Sequence, residues 1–477
     1  MSAQLDAVIV GAGPNGLSAA LTLARAGCSV LVLEQASTIG GGTRTAELTL
    51  PGFRHDVCSA IHPFGAASPA FAEHELERYG LEWIHPEVLA SHPLDGGGGG
   101  ALLADIHATG ATLGVDAKAY TKRMSALVGR WPRVAPSVFG PLVRLPPHPL
   151  AVARSLLPGT LPATTFAKQW FDGDAAQALF AGAAAHSYRP LTSPFTAGVG
   201  TTFLTLAHTT GWPVIKGGSQ AIANAYLAAI VEHGGEVVTD TTVSSVADLP
   251  SARTVFFDTT ANVTADIVGD ELPRLRRRRL DRFRPGPGAW KIDYALSGPI
   301  PFDDELSRRA GTVHLGGTMA EIAAAEAAIN RGDMPDRPFV LVTQQSLVDP
   351  SRAPAGQHTA WVYGHVPHGF QGDATAAVEA QVERFAPGFR EQVLAKAVRT
   401  PADLEADNPN QRGGDITGGS IGGDQLVRRP FLSANPYSLG RDGWYMCSSS
   451  TPPGAGVHGM CGWHAATRAL KSDLRDR

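Results

Sequence analysis

Three glycines and one carboxylate near the start of the chain carry the clearest chemistry. Gly11, Gly13 and Gly16 stand in Gly-x-Gly-x-x-Gly spacing around Pro14 and Asn15, and Glu34 lies 23 residues past Gly11. Gly11 permits a tight turn, Gly13 lets backbone approach a pyrophosphate, and Gly16 packs a helix against a strand. A carboxylate at that interval accepts hydrogen bonds from ribose hydroxyls, and the free N–H groups of a helix start favour the phosphates. A second glycine group, Gly40-Gly41-Gly42 with Arg44 and Thr45, follows soon after. A third, Gly454, Gly456 and Gly459, repeats the literal spacing near the end. No second strand with a ribose-binding acid follows it within the remaining residues to Arg477, so it reads as a decoy for a second nucleotide site.

These residues need elements to hold them. Leu5–Val10 is a short, mostly apolar run that suits a buried parallel strand, Leu17–Ala26 an Ala/Leu-rich helix stopped by Gly27, and Ser29–Leu33 a second strand ending at Glu34. Together they form a βαβ unit able to take FAD or NAD. Residues 115–210 read as mostly helical with proline breaks, and Gly96–Gly100 as a hairpin tip. A helix over 221–233 and strands at 236–238, 242–246 and 255–259 follow. Apolar runs between Lys291 and Val366 predict a sheet, Trp444–Cys447 a last strand, and Met460–Leu470 a last helix.

Composition narrows the classes. The net charge of −4 gives no support to a nucleic-acid binder. The arginines between Arg274 and Arg284 read as a solvated helix face. Cys28, Cys58, Cys447 and Cys461 form no C-x-x-C pair, which argues against a disulfide framework or a dithiol reductase and makes the cytoplasm the default compartment. The N-terminus reads as a folded strand and not a signal peptide. No run looks like a membrane helix; the proline-rich 134–167 region, the least charged stretch of the chain, suits a greasy entrance or contact with a membrane surface. No metal site is read: His458, Cys461 and His464 on a helix would not share a face.

The second glycine group resembles that of two-dinucleotide-binding-domain flavoproteins, in which the loop and its basic residue line the FAD phosphates and the flavin. The segment Trp444–Ala466 resembles the closing segment of bacterial phytoene desaturases and their relatives. Gly211-Trp212-Pro213-Val214, Lys216-Gly217-Gly218, Gly286-Pro287-Gly288-Ala289 and Gly413-Gly414-Asp415-Ile416 fit the same family, in the branch of the pyridine nucleotide-disulfide oxidoreductase domain proteins. The resemblance implies an α/β fold. A Rossmann-like FAD-binding domain from 1–75, 211–265 and 425–477 joins a mixed-sheet plus helical substrate domain from 76–210 and 266–424. It implies FAD as cofactor, held by Gly11, Gly13, Pro14, Asn15, Gly16, Glu34, Gly41, Gly42, Arg44, Thr45, Val243, Gly456, Val457 and Met460. His55 and Asp56 fall where the family places residues beside the flavin; no catalytic base is assignable from sequence. The implied activity is desaturase-type hydride removal from a small, apolar, isoprenoid-like molecule, with electrons passed to oxygen or a quinone. The alternatives are an amine or amino-acid oxidase on the same fold, which needs an aromatic cage or a carboxylate-binding Arg, and a non-catalytic flavin-binding interaction protein. Substrate identity, oligomeric state and membrane contact are not legible in the sequence.

Overall fold

The computed structural model describes residues 4–141 and 144–476. Two sheets organise it. The first has five strands in the order Trp444–Met446, Ala252–Phe257, Leu5–Val10, Val30–Leu33, Glu236–Val238, all parallel. Its strands come from three distant stretches of chain. Val8, Ile9, Val32 and Phe256 are fully buried, as expected of a parallel sheet covered on both faces. The second sheet is mixed and has seven strands: Val393–Arg399, Gly288–Leu296, His358–Val366, Val340–Thr343, Ala310–Leu315, Val88–His92, Gly100–Leu102. Five helices between Ala117 and Thr209 cap it. Gly96–Gly99 sit in the turn of the antiparallel hairpin that joins its last two strands. Among the described residues no helix is long and apolar enough to cross a membrane.

The first helix, Pro14–Arg25, starts at a proline whose missing N–H costs nothing at that position. It packs against the last helix, Met460–Leu470, at very short range. A Cβ added at Gly462 would lie 1.8 Å from the Asn15 carbonyl oxygen, and one at Gly16 would lie 2.2 Å from that of Gly11. The C-terminal helix thus fixes the turn that opens the first.

Two sequence expectations fail. The run 242–246 is not a strand. Asp248 captures the N–H groups of Ser244 (2.9 Å) and Ser245 (2.8 Å) in a capping box, so they are not available to a ladder. The helix Ala117–Val138 runs through Pro132 and Pro136 without breaking there. Both prolines are exposed, so water can satisfy the carbonyls they free. The arginine-rich run does form an exposed helix, Arg274–Asp281.

Gly462→Ala should therefore destabilise the protein by at least about 2 kcal/mol, because the methyl group meets backbone and not a yielding side chain. Urea denaturation measures it; an unchanged midpoint would show that the two helices can move apart freely.

Candidate functional site

One cavity of about 700 Å³ is lined from both halves of the molecule. Its first arm lies at the carboxyl ends of the parallel strands, where open α/β sheets bind ligands. Gly11, Gly13, Pro14, Asn15, Glu34, Gly41, Gly42, Arg44, Val243, Gly456 and Val457 all line the cavity. The two glycine loops stack: a Cβ at Gly41 would lie 3.2 Å from Gly13 Cα, and Gly41 takes the left-handed φ of +52°. Glu34 Oε2 accepts the N–H of Ala12 (2.8 Å) and Oε1 that of Ala36 (2.9 Å). Each oxygen keeps a lone pair for a further donor. Asn15 Oδ1 is buried without a partner. A pyrophosphate and a ribose fit this cradle.

Three residues expected at the cofactor stand elsewhere. Gly16 is packed into the first helix. Thr45 Oγ1 donates to Asp56 Oδ1 (2.9 Å) and accepts the N–H of Gln220 (3.1 Å), so it ties loops together. Met460 is buried beside Ala70 and Phe139, and its N–H donates to His458 Nδ1 (3.0 Å). Arg44 does line the cavity, but its guanidinium pairs with the Asp407 carboxylate, and its Nε donates to the Gly41 carbonyl (3.1 Å).

Asp56 and His55 do not line the cavity. Asp56 is fully buried and accepts from Arg352 (3.0 Å), Ser219 N–H (2.8 Å) and Thr45. Burial works to raise its carboxyl, but the Arg352 guanidinium and the Ser219 N–H outweigh it and hold it below the ordinary value. His55 Nδ1 faces Asp293 at 3.6 Å, beside a buried Lys291–Asp293 pair that sequence reasoning did not single out. Of the other histidines, His62 lines the cavity. The Ser219 hydroxyl donates to the Ser59 carbonyl (2.7 Å), so the His62 Nε2–H must donate to Ser219 Oγ (2.8 Å) and Nδ1 is left as a bare acceptor. Burial lowers its pKa to about 4, keeping it neutral. His464 Nε2 donates to the Phe139 carbonyl (2.8 Å).

Asp258 was also missed. It ends the Ala252–Phe257 strand, lines the cavity, and its Oδ2 accepts the Gly16 N–H (2.8 Å). A carboxylate therefore already sits at the start of the first helix. The legible signal was an acid closing a buried apolar strand.

The second arm is different. Phe64, Val138, Phe139, Leu156, Val199, Phe203 and Trp212 lead inward to Thr312, Leu341, Thr343, Trp361 and Tyr363 on the mixed sheet and to His186 and Tyr188. The charged lining residues of the cavity are Glu34, Arg44, Asp258, Asp407 and Asp415.

Comparison with known proteins agrees with the motifs. Residues 9–74 match the NAD(P)-binding Rossmann-like domain. The chain is 25% identical to rat (Rattus norvegicus) pyridine nucleotide-disulfide oxidoreductase domain-containing protein 2, over 97% of this chain and 93% of that protein. It is 26% identical to the neurosporene-forming phytoene desaturase of Rhodobacter capsulatus, over 52% of this chain and 51% of that one. Among solved structures it shares its fold with putrescine oxidase (TM-score 0.64, 16% identity, 100% of both chains). An oxidoreductase from Methanosarcina mazei shares it too (TM-score 0.63, 15% identity, 98% of this chain and 100% of that one). The family resemblance and the α/β fold read from the sequence are borne out.

Burial, with the Glu34 charge nearby, pushes the Asp258 carboxyl well above its ordinary 3.8. A raised pKa in the folded state means stability that is present at low pH and lost as pH rises through that value. In cofactor-free protein, Asp258→Asn should be more stable than wild type by about 1 kcal/mol or more at pH 8. The gap should close as pH falls toward 4. Thermal unfolding across this pH range measures it; a constant gap would show that Asp258 is ionised throughout.

Proposed function

We propose that this chain is an FAD-dependent oxidoreductase that removes hydride from a largely apolar organic molecule and passes electrons to oxygen or a quinone. The observation that carries this reading is the one cavity that joins the glycine loops and Glu34 to a lining of largely apolar and aromatic side chains, Phe64, Phe139, Phe203, Trp212 and Trp361 among them. The FAD-binding domain is drawn from 1–75, 211–265 and 425–477, with the rest as substrate domain. Glu34 would hold the adenosine ribose, the Gly13–Asn15 turn the pyrophosphate, and the loop at Val243 the adenine. Gly41, Gly42, Gly456 and Val457 would flank the isoalloxazine ring. Bound FAD supplies the hydride acceptor; the protein positions the substrate and excludes water. The matched Rossmann-like unit, residues 9–74, is the one that would hold FAD. Leu145, Leu150 and Leu157 are exposed near the second arm and suit contact with an apolar surface. Cys58, Cys447 and Cys461 are in no disulfide, which suits a reducing cytoplasm.

A second reading, an amine oxidase, draws on the aromatic cluster at the inner end, where the Trp361 and Tyr363 rings meet at 4.8 Å and 75°. Against it, the carboxylates packed beside these rings, Asp293 and Glu326, do not line the cavity and face Lys291 and His365.

The purified protein should be yellow and release intact FAD on denaturation. NADH and NADPH should bleach it slowly in anaerobic stopped-flow mixing, because one dinucleotide unit is present and FAD fills it. Colourless protein that takes up NAD, or rapid saturable bleaching by either nucleotide, would overturn the assignment. Glu34→Ala should weaken FAD binding by about 1.5–3 kcal/mol, the worth of a charge-assisted hydrogen bond. Titration of cofactor-free protein followed by flavin fluorescence reads this, and an unchanged affinity would show the ribose contact to be misassigned.

A further inference from the structure

The register of the mixed sheet determines what the inner end of the cavity can recognise. Thr312 pairs with Thr343 and Thr343 with Trp361; His314 pairs with Leu341 and Leu341 with Tyr363. Side chains alternate faces along a strand, so these two rows share one face. The opposite face carries Val313, Val340, Val342 and Val362 in a separate apolar core. One face of the sheet is therefore built as a polar, aromatic floor beneath an otherwise greasy arm.

Three hydrogen-bonding groups on that floor and its wall are left over. Trp361 Nε1, Thr343 Oγ1 and Tyr188 Oη are buried and have no partner of hydrogen-bonding geometry. Each belongs to a residue that lines the cavity. Buried polar atoms without partners are uncommon and call for a ligand or water. Tyr188 lies beside the Tyr363 phenol and holds a φ of +54°, an unfavourable backbone for a bulky residue. The indole fixes the direction of the set. Its N–H only donates, the two hydroxyls can donate or accept, and so only a ligand that offers an acceptor satisfies all three. An ammonium group has none. The carboxylates near the floor do not line the cavity: Asp293 faces Lys291 behind it, and Glu326 pairs with His365 at 2.7 Å, each with its other oxygen left unpartnered.

We propose that the inner end of this cavity is a head-group site for a neutral oxygen function, a hydroxyl or carbonyl, on an otherwise apolar substrate, with Trp361, Thr343 and Tyr188 as its donors. This rests on the reading of the second arm as the substrate arm.

The test uses FAD-loaded protein and three matched ten-carbon probes: geraniol, β-myrcene and geranylamine. Isothermal calorimetry at pH 7.5 should give geraniol an affinity about tenfold above either of the others, as expected for a site built to bond an oxygen. Thr343→Val and Tyr188→Phe remove a hydroxyl at nearly constant shape, and each should cut the advantage of geraniol about threefold while leaving myrcene unchanged. Trp361→Phe should cut it further. Equal binding of myrcene, tighter binding of the amine, no measurable binding of geraniol, or variants that weaken all three probes alike would each overturn the proposal. Heat of binding does not depend on flavin reduction. A geraniol preference in protein whose flavin no substrate bleaches would leave this site standing and remove the dehydrogenase reading.

Discussion

The start of the first helix is held between backbones that approach too closely for a side chain. Gly16 sits against the Gly11 carbonyl, Gly41 against Gly13, and Gly462 against the Asn15 carbonyl. Three pieces of chain, at Gly11–Gly16, Gly41 and Gly462, meet at one helix turn. A Cβ at any of these points would move the free N–H groups that face the cavity. The site geometry is therefore a packing constraint first. Neither glycine loop could hold a phosphate group if the last helix did not press the first into place.

A second division of labour runs through the mixed sheet. One face builds a dry core from Ile292, Val340, Val342 and Val362. The other holds Trp361, Tyr363 and Thr343 against the cavity, with Lys291 and Asp293 paired in the same register beside them. The alternation of a strand thus separates stability from recognition within a few residues of sequence. Apolar valines contribute the burial, and the residues between them are free to carry chemistry.

Much of this was legible. The βαβ unit, the Glu34 carboxylate and the closing Gly456–Val457 loop depend on local chemistry: glycine conformations, an acid at a strand end, apolar runs. They lie where sequence spacing places them. What was not legible depends on tertiary contacts. Val243 lines the cavity from a loop because Asp248, a few residues on, withholds the N–H groups a strand would need. Thr45 and Met460 stand next to cavity residues in sequence, yet Thr45 turns to Asp56 and Met460 to the Phe139 cluster. Asp258 faces Gly16 across 242 residues, and no window of sequence joins the two. The floor of the second arm was hidden for the same reason, since cross-strand register is a long-range property.

The parallel sheet takes its central strand from Leu5–Val10 and its edge strand from Trp444–Met446. A ribosome makes these at opposite ends of its task. Until the last strand emerges, Ala252–Phe257 stands as an open edge, with Phe256 lacking its stacking partner Tyr445. Such an edge invites pairing with another nascent chain. Between synthesis of residue 257 and residue 446 that edge has no native neighbour, and slow codons in that stretch would lengthen the interval.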